Sequence, residues 1–470
     1  MQRHAMTRSL DPVLAHLRQS RSAAIERWKE LLRIPSIGAD PAHDDDTRRA
    51  ASWMVDSLAS IGFSASLRET AGQPMVVAHH PGPGDRTGPH VLYYGHYDVQ
   101  PADPLGLWQS PPFEPTVVEA EHGARMVARG AVDDKGQVMT WLEAMRAWQE
   151  VHRTLPVRVT VFLEGEEESG SPSLEPFVRD HKGELTADVC VVSDTNMWDI
   201  ETPALATTLR GLLYTEIALW GPSHDLHSGL YGGAVPNPLN VLTRILGQLH
   251  DADGRVQLPG FYDDVAERSE EEARQHAALP FHEAGFLASA GISTPTGEAG
   301  RSTLERIWTR PTCDINGIWG GYTGPGSKTV IPAEARAKVS FRLVPSQDPE
   351  RILEGLRAFV AARTPADCRT EIVSHGGSAA LRIPTESPFV QAAARALERA
   401  FGRPPVLIGM GGSIPAVEAI SRLLGMDSLL VGFGLADDRV HSPNEKFEVR
   451  CFERGILTHA ALLAEFAALS

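Results

Sequence analysis

Five short stretches of the chain gather imidazoles and carboxylates in numbers that could do chemistry. Tyr94-Gly95-His96-Tyr97-Asp98-Val99 carries an H-x-D pair, in which His96 can ligate a metal while Asp98 orients the ring through its second nitrogen. Arg129-Gly130-Ala131-Val132-Asp133-Asp134-Lys135-Gly136 places two carboxylates just ahead of a helical pattern. Capping by Asp134 explains one of them and leaves Asp133 unexplained. Glu164-Gly165-Glu166-Glu167-Glu168-Ser169-Gly170 crowds acids after an apolar run, and packed like charges repel unless a cation neutralises them. Ser193-Asp194 adds one more carboxylate, and Asp437-Asp438-Arg439-Val440-His441-Ser442-Pro443-Asn444-Glu445-Lys446 adds an imidazole in a charged loop. Taken singly, each stretch has a plain structural explanation in a cap, a solvated loop or a core histidine. Taken together, His96, Asp133, Glu168, Asp194 and His441 make a donor set suited to zinc or another divalent transition ion. The set exceeds what one open catalytic zinc requires, and a carboxylate bridging two ions with a shared water accounts for the excess.

These residues need a scaffold that brings them to one rim. Val91-Leu92-Tyr93-Tyr94, Val157 to Leu163 and Val189-Cys190-Val191-Val192 are β-rich runs, and a helical pattern of Val138, Leu142, Met145 and Trp148 lies between the first two. The alternation predicts an α/β sheet, and such sheets bind ligands just beyond the carboxyl ends of their strands. The chain opens with a helix from Asp11 to Arg33, stopped by Pro35. After Arg210-Gly211 the pattern becomes strand (212–220), helix (239–249), a polar irregular stretch, strand (335–344), helix (349–362) and strand (370–374). From Pro388 the helix and strand alternation resumes: helix to Phe401, strand 405–409, helix 415–424, strand 428–434 and a terminal helix. The expected architecture is a discontinuous α/β domain, residues 1–210 and 379–470, with an inserted α+β domain at 211–378. The stretch from Gly254 to Thr303 is expected to be loop with short helix.

Composition narrows the partners. The 470 residues are 42% hydrophobic and 22% charged, the profile of a globular chain with a large core. A formal net charge of -16 offers no field to collect nucleic acid or an anionic membrane surface, so a small molecule or peptide fits better. Met1 to Ile34 has no apolar run long enough for a signal peptide or membrane span, which leads us to expect a cytoplasmic protein. Cys190, Cys313, Cys368 and Cys451 lie far apart without C-x-x-C spacing, and read as reduced cysteines rather than a disulfide framework or thiolate zinc site.

The ordered motifs G-H-Y-D-V, R-G-x-x-D-D-K-G, L-E-G-x-E-E-S-G, S-D, D-L-H-S-G, K-T-V-I-P, R-L-V-P, G-G-S-I-P and H-S-x-N-E-K run from His96 to Lys446. The set resembles the co-catalytic metallopeptidase family of cytosolic non-specific dipeptidase, carnosinase, glutamate carboxypeptidase and succinyl-diaminopimelate desuccinylase. D-L-H-S-G and G-G-S-I-P place it nearest the dipeptidase and carnosinase branch. The resemblance implies that Asp133 bridges two ions, Zn2+ or else Mn2+ or Co2+, with His96 and Asp194 completing one site and Glu168 and His441 the other. It also implies that Glu167 is the general base, with Asp98 supporting His96. The inserted domain would be a lid and dimerisation domain, with His227 of Asp225-Leu226-His227-Ser228-Gly229 reaching a partner's active site in a homodimer. Thr329, Arg342, His375, Gly412 and Ser413 would contact substrate, Arg342 being the natural partner of a C-terminal carboxylate. Read without the resemblance, His375 is equally a loop histidine and Arg342 an outward strand residue.

The expected activity is hydrolysis of the amide bond of a dipeptide or similar small peptide. One departure bears on the substrate: the dipeptidases carry Glu before Gly-Gly-Ser, and this chain carries Met410. An N-acyl-amino-acid deacylase or a carbamoyl-amide hydrolase on the same scaffold is the alternative. A non-catalytic peptide-binding protein is a further one, and it would have no use for Glu167 beside an intact ligand set.

Overall fold

The computed structural model describes residues 8–84 and 88–469. They form two compact units, one from the described residues of Met1–Thr207 with Ile383–Ile408 and Pro415–Ser470, the other from Thr208–Arg382 with Gly409–Ile414. The first seven residues of the expected opening domain lie outside the described residues.

The first unit is built on a twisted mixed sheet in which the strands Ser64–Arg68, Met75–His80, Arg158–Glu164, His90–His96, Val189–Val192, Asp427–Leu430 and Ala204–Leu209 lie side by side in that order. The central four, from Arg158–Glu164 to Asp427–Leu430, run parallel, as expected for strands connected through helices. Val91, Leu92, Tyr93 and Tyr94 are all buried, because parallel strands are covered on both faces. The helices Leu10–Leu32 and Val449–Ala467 both pack on the helix Lys135–His152. That helix is buried over most of its circumference, Trp141 and Trp148 included, which is why its apolar pattern is broader than one stripe. Lys135 at its start is fully buried, and its Nζ donates to the carbonyls of Leu31 and Ile34 at 3.3 and 2.6 Å. Burial draws its pKa down to about 7. A separate three-stranded sheet joins Thr116–Ala120, Gly123–Val127 and Lys446–Glu448, so the segment after His441 is stitched to the strand leading into Asp133.

The second unit holds an antiparallel sheet in the order Thr312–Gly320, Glu334–Leu343, Gly211–Trp220, Arg369–Ser378. Burial alternates along Glu334–Leu343, so one face packs a core of Leu213, Ile217, Val339, Phe341 and Leu356. The helices Pro238–Leu246 and Pro349–Ala361 supply the other side of that core. Asn237 and Asp348 cap these helices, each followed by Pro at the first helical position. Within the stretch expected to be loop with short helix lie the helices Glu270–Ala278 and Glu283–Ser289. The stretch expected to be polar and irregular contains the strand Thr312–Gly320, whose bulge between Ile315 and Gly317 breaks the period of two. Gly409–Ile414 belongs to this unit, a return that a three-segment division does not contain.

Candidate metal centre

His96 is the last residue of its strand, and Asp194 lies two residues beyond the end of Val189–Val192. Glu167 and Glu168 sit on a short turn, Glu167–Ser169, after Arg158–Glu164. Asp133 lies in the loop before the helix Lys135–His152, so parallel strand ends and one helix start deliver these side chains to a common rim. His441 arrives on a loop in which Arg439, His441 and Asn444 all take left-handed backbone (φ 57°, 60° and 64°). Clustered left-handed non-glycine residues mark a loop shaped for a site.

Ligating atoms of His96, Asp133 and Asp194 fall within 4.8 Å of one another, and so do those of Asp133, Glu168 and His441. Asp133 is common to both groups, one carboxylate oxygen 3.2 Å from His96 Nε2 and the other 2.9 Å from His441 Nε2. His441 Nε2 is also 3.1 Å from Glu168 Oε2. His96 Nε2 is buried and makes no hydrogen bond, although Asp133 is near. A buried ring nitrogen left without a hydrogen-bond partner among acids is the donor arrangement a cation fits.

The electrostatics agree. Burial, then the charge of Asp133, pushes the Asp194 carboxyl up to about 7, and burial, then Asp194 and Glu168, pushes Glu167 up to about 8. Burial also disfavours the Asp133 carboxylate, but the facing His441 and His96 imidazoles outweigh it and hold its pKa below the usual range. Hydrogen bonds to Asp133 and Glu168 lift His441 to about 10. A bound cation supplies the positive charge that protons otherwise must, and inverts these shifts.

A surrounding layer holds the ligands. Asp98 is fully buried, its carboxylate 3.3 Å and its carbonyl 3.1 Å from His96 Nδ1, and its other oxygen accepts the Glu168 amide at 3.1 Å. Gln100 Nε2 donates to Glu168 Oε2 at 2.9 Å. Asp134 stands at the N-cap, but its side chain does not cap the helix; its Oδ2 accepts the His96 amide at 3.3 Å instead. Glu445 is the residue whose importance the motifs did not reveal. Its Oε1 accepts the amides of Val132 and Asp133 (3.0 and 3.2 Å), and its Oε2 accepts the Gly130 amide and Arg129 Nη1 (3.0 and 2.7 Å). One buried carboxylate thus ties the Asp133 loop to the His441 loop. The signal available in sequence was only an acid four residues after His441.

The remaining expected residues lie in the second unit. Leu226–His227 pairs with Val330–Ile331, and the Ser228 amide donates to the Thr329 carbonyl at 3.0 Å, so His227 and Thr329 are neighbours. His227 Nδ1 accepts the Gly229 amide at 2.9 Å, which leaves the proton of the neutral ring on Nε2. Arg342 Nη1 donates to Ser413 Oγ at 2.9 Å, and Ser413 Oγ donates to the Arg210 carbonyl. A side chain at Gly412 would meet nothing within 4 Å. His375 is exposed beside Tyr214, its Nε2 3.8 Å from Glu216, and joins neither of these groups.

Comparison with known proteins identifies the family of the chain. Residues 92–465 match the model of peptidase family M20/M25/M40. The chain is 32% identical over 467 residues to the Cys-Gly metallodipeptidase DUG1 of Candida albicans, covering 96% of each chain. It is 30% identical over 448 residues to human Beta-Ala-His dipeptidase, covering 94% of this chain and 86% of that one. Among solved structures, the M20 family metallo-carboxypeptidase Sso-CP2 from Sulfolobus solfataricus superposes with a TM-score of 0.84 at 32% identity, over 95% of this chain and 99% of that one. With the family model spanning most of the chain and full-length relatives at this identity, the chain belongs to peptidase family M20/M25/M40.

Proposed function

We propose that this protein is a dipeptidase that uses two divalent ions, held by His96, Asp133 and Asp194 and by Asp133, Glu168 and His441, to cleave the amide bond of small peptides. The observation that carries the proposal is Asp133, whose two oxygens face His96 and His441 in two donor groups. When bound, such a pair of ions polarises the scissile carbonyl and acidifies a water. Zn2+ suits the imidazole and carboxylate donors best, with Mn2+ or Co2+ also compatible. Glu167, adjacent to a ligand and not one itself, takes the proton of the attacking water and passes it to the leaving amine. Asp98 and Gln100 keep His96 and Glu168 in place through the contacts described above. His227 presents Nε2–H to the oxyanion, acting on the partner chain of a homodimer. Arg342, held by Ser413, pairs with the substrate's C-terminal carboxylate, a group that dipeptidases and carboxypeptidases both encounter. Thr329, His375 and Gly412 complete the proposed substrate contacts.

The relatives act on Cys-Gly and Beta-Ala-His, so unblocked dipeptides are the first substrates to examine. Met410 favours a second reading, since a thioether leaves an ammonium group unpaired and suits an N-acyl or carbamoyl group better. We place the enzyme in the cytoplasm; its four cysteines are all free. Among the described residues no helix is long and apolar enough to cross a membrane. Metal-loaded protein should hydrolyse Cys-Gly or Beta-Ala-His, and a panel of N-acyl and carbamoyl amino acids run beside them decides between the readings. If only the blocked compounds turn over, and Met410→Glu shifts activity toward free dipeptides, the second reading replaces the first.

A further inference from the structure

Within the second unit lies a cavity of about 540 Å³ with an unusual charge for this chain. The protein as a whole carries -16, yet Arg210, Arg306, Arg310 and Arg342 line this cavity against Glu298 and Asp314. Glu298 is already engaged, its carboxylate taking Arg310 Nε and Nη2 at 2.7 and 2.8 Å and its carbonyl taking Arg306 Nε at 3.0 Å. Asp314 is exposed and offsets little. Arg210, Arg306 and Arg342 therefore have no carboxylate partner of their own among the described residues, and of the three Arg210 and Arg342 are the pair joined through Ser413.

Arg210 is held firmly, since its Nε donates to the Gly411 carbonyl at 2.9 Å and its carbonyl accepts Ser413 Oγ, the same hydroxyl that receives Arg342 Nη1. Its Nη1 is buried and has no hydrogen-bond partner. Burial and the nearby Arg342 charge together draw the Arg210 pKa down to about 10, a cost that an anion between them would remove. A planar guanidinium with a free, fixed N–H is suited to a carboxylate. One carboxylate neutralises one of the two.

We infer that Arg210 and Arg342 form a two-guanidinium subsite for the C-terminal residue of the substrate, and that it selects dipeptides whose C-terminal residue carries a second carboxylate. The inference rests on the reading of Arg342 as a substrate contact. Arg342 takes the main-chain carboxylate and Arg210 the side-chain carboxylate, with Gly411 and Ser413 fixing the spacing of the two.

The test compares Ala-Glu with Ala-Gln, which differ by one charge at nearly equal size. Wild-type enzyme should favour Ala-Glu by about ten-fold or more in kcat/KM, chiefly through KM, as a site with unpaired buried donors discriminates against a partner lacking the charge. Arg210→Gln should bring the ratio to within about two-fold, whereas Arg342→Gln should depress both substrates. Equal wild-type rates for the two, or an unchanged ratio in Arg210→Gln, would overturn the inference and leave the dipeptidase reading intact. Calorimetric titration of wild-type protein with free L-glutamate and L-glutamine needs neither turnover nor a variant. Tighter binding of glutamate supports the subsite even if no dipeptide is cleaved, and equal binding refutes it.

Discussion

Glu167 and Glu168 are sequence neighbours with different duties, and this makes them the sharpest probe at the residue scale. Glu168 lies 3.1 Å from His441 and is held by Gln100, the position of a ligand needed at rest. Glu167 is needed only when a proton moves. Glu167→Gln should therefore keep both ions by elemental analysis and lose roughly 10²- to 10⁴-fold in kcat, the usual worth of a general base. Glu168→Gln should instead release or weaken one ion. Equal metal loss in both variants would contradict the assignment of roles. The donor residues were legible in the sequence only as a set: each stretch alone has a plain structural explanation, and the combined imidazoles and carboxylates are what suit a metal. The proton on His227 was not legible, because it depends on the Gly229 amide two residues on, which only the turn geometry brings to Nδ1.

At the scale of elements, the strands and helices of both units follow from periodicity. The runs at Val91, Val157 and Val189 are strands because they are continuously apolar and bounded by polar ends, and the broad pattern from Val138 to Trp148 is a helix buried on most sides. Thr312–Gly320 escaped because a bulge and two glycines erase the alternation. Glu445 escaped for another reason. It works by accepting backbone amides more than 300 residues away in sequence, and backbone donors carry no residue signature. Its place between two loops gives a prediction. Glu445→Ala strands the buried Arg129 and frees three loop amides at once, so the cost should be about 3–5 kcal/mol in denaturant unfolding. Affinity for the metals should fall as well, since the Asp133 and His441 loops lose their common anchor. A change below about 0.5 kcal/mol, within the range of an ordinary surface substitution, would contradict the clamp.

For the whole molecule, the question is how many chains make one working site. His227 belongs to the second compact unit and every proposed metal ligand to the first. Under the proposal His227 serves a partner chain, so His227→Ala and Glu167→Ala should each be nearly inactive with their ions bound. Unfolding and refolding the two variants together should restore roughly a quarter of wild-type activity, because random pairing makes half the dimers mixed and each mixed dimer has one intact site of two. No recovery in proven mixed dimers would show that His227 acts within its own chain. The central claim is reached more directly by stripping the protein of metal with a chelator and adding Zn2+ back in steps while following dipeptide hydrolysis. The account predicts no activity in the stripped protein and a rise that levels off at two ions per chain by elemental analysis. Full activity in verified metal-free protein, or saturation with one ion bound, would contradict it.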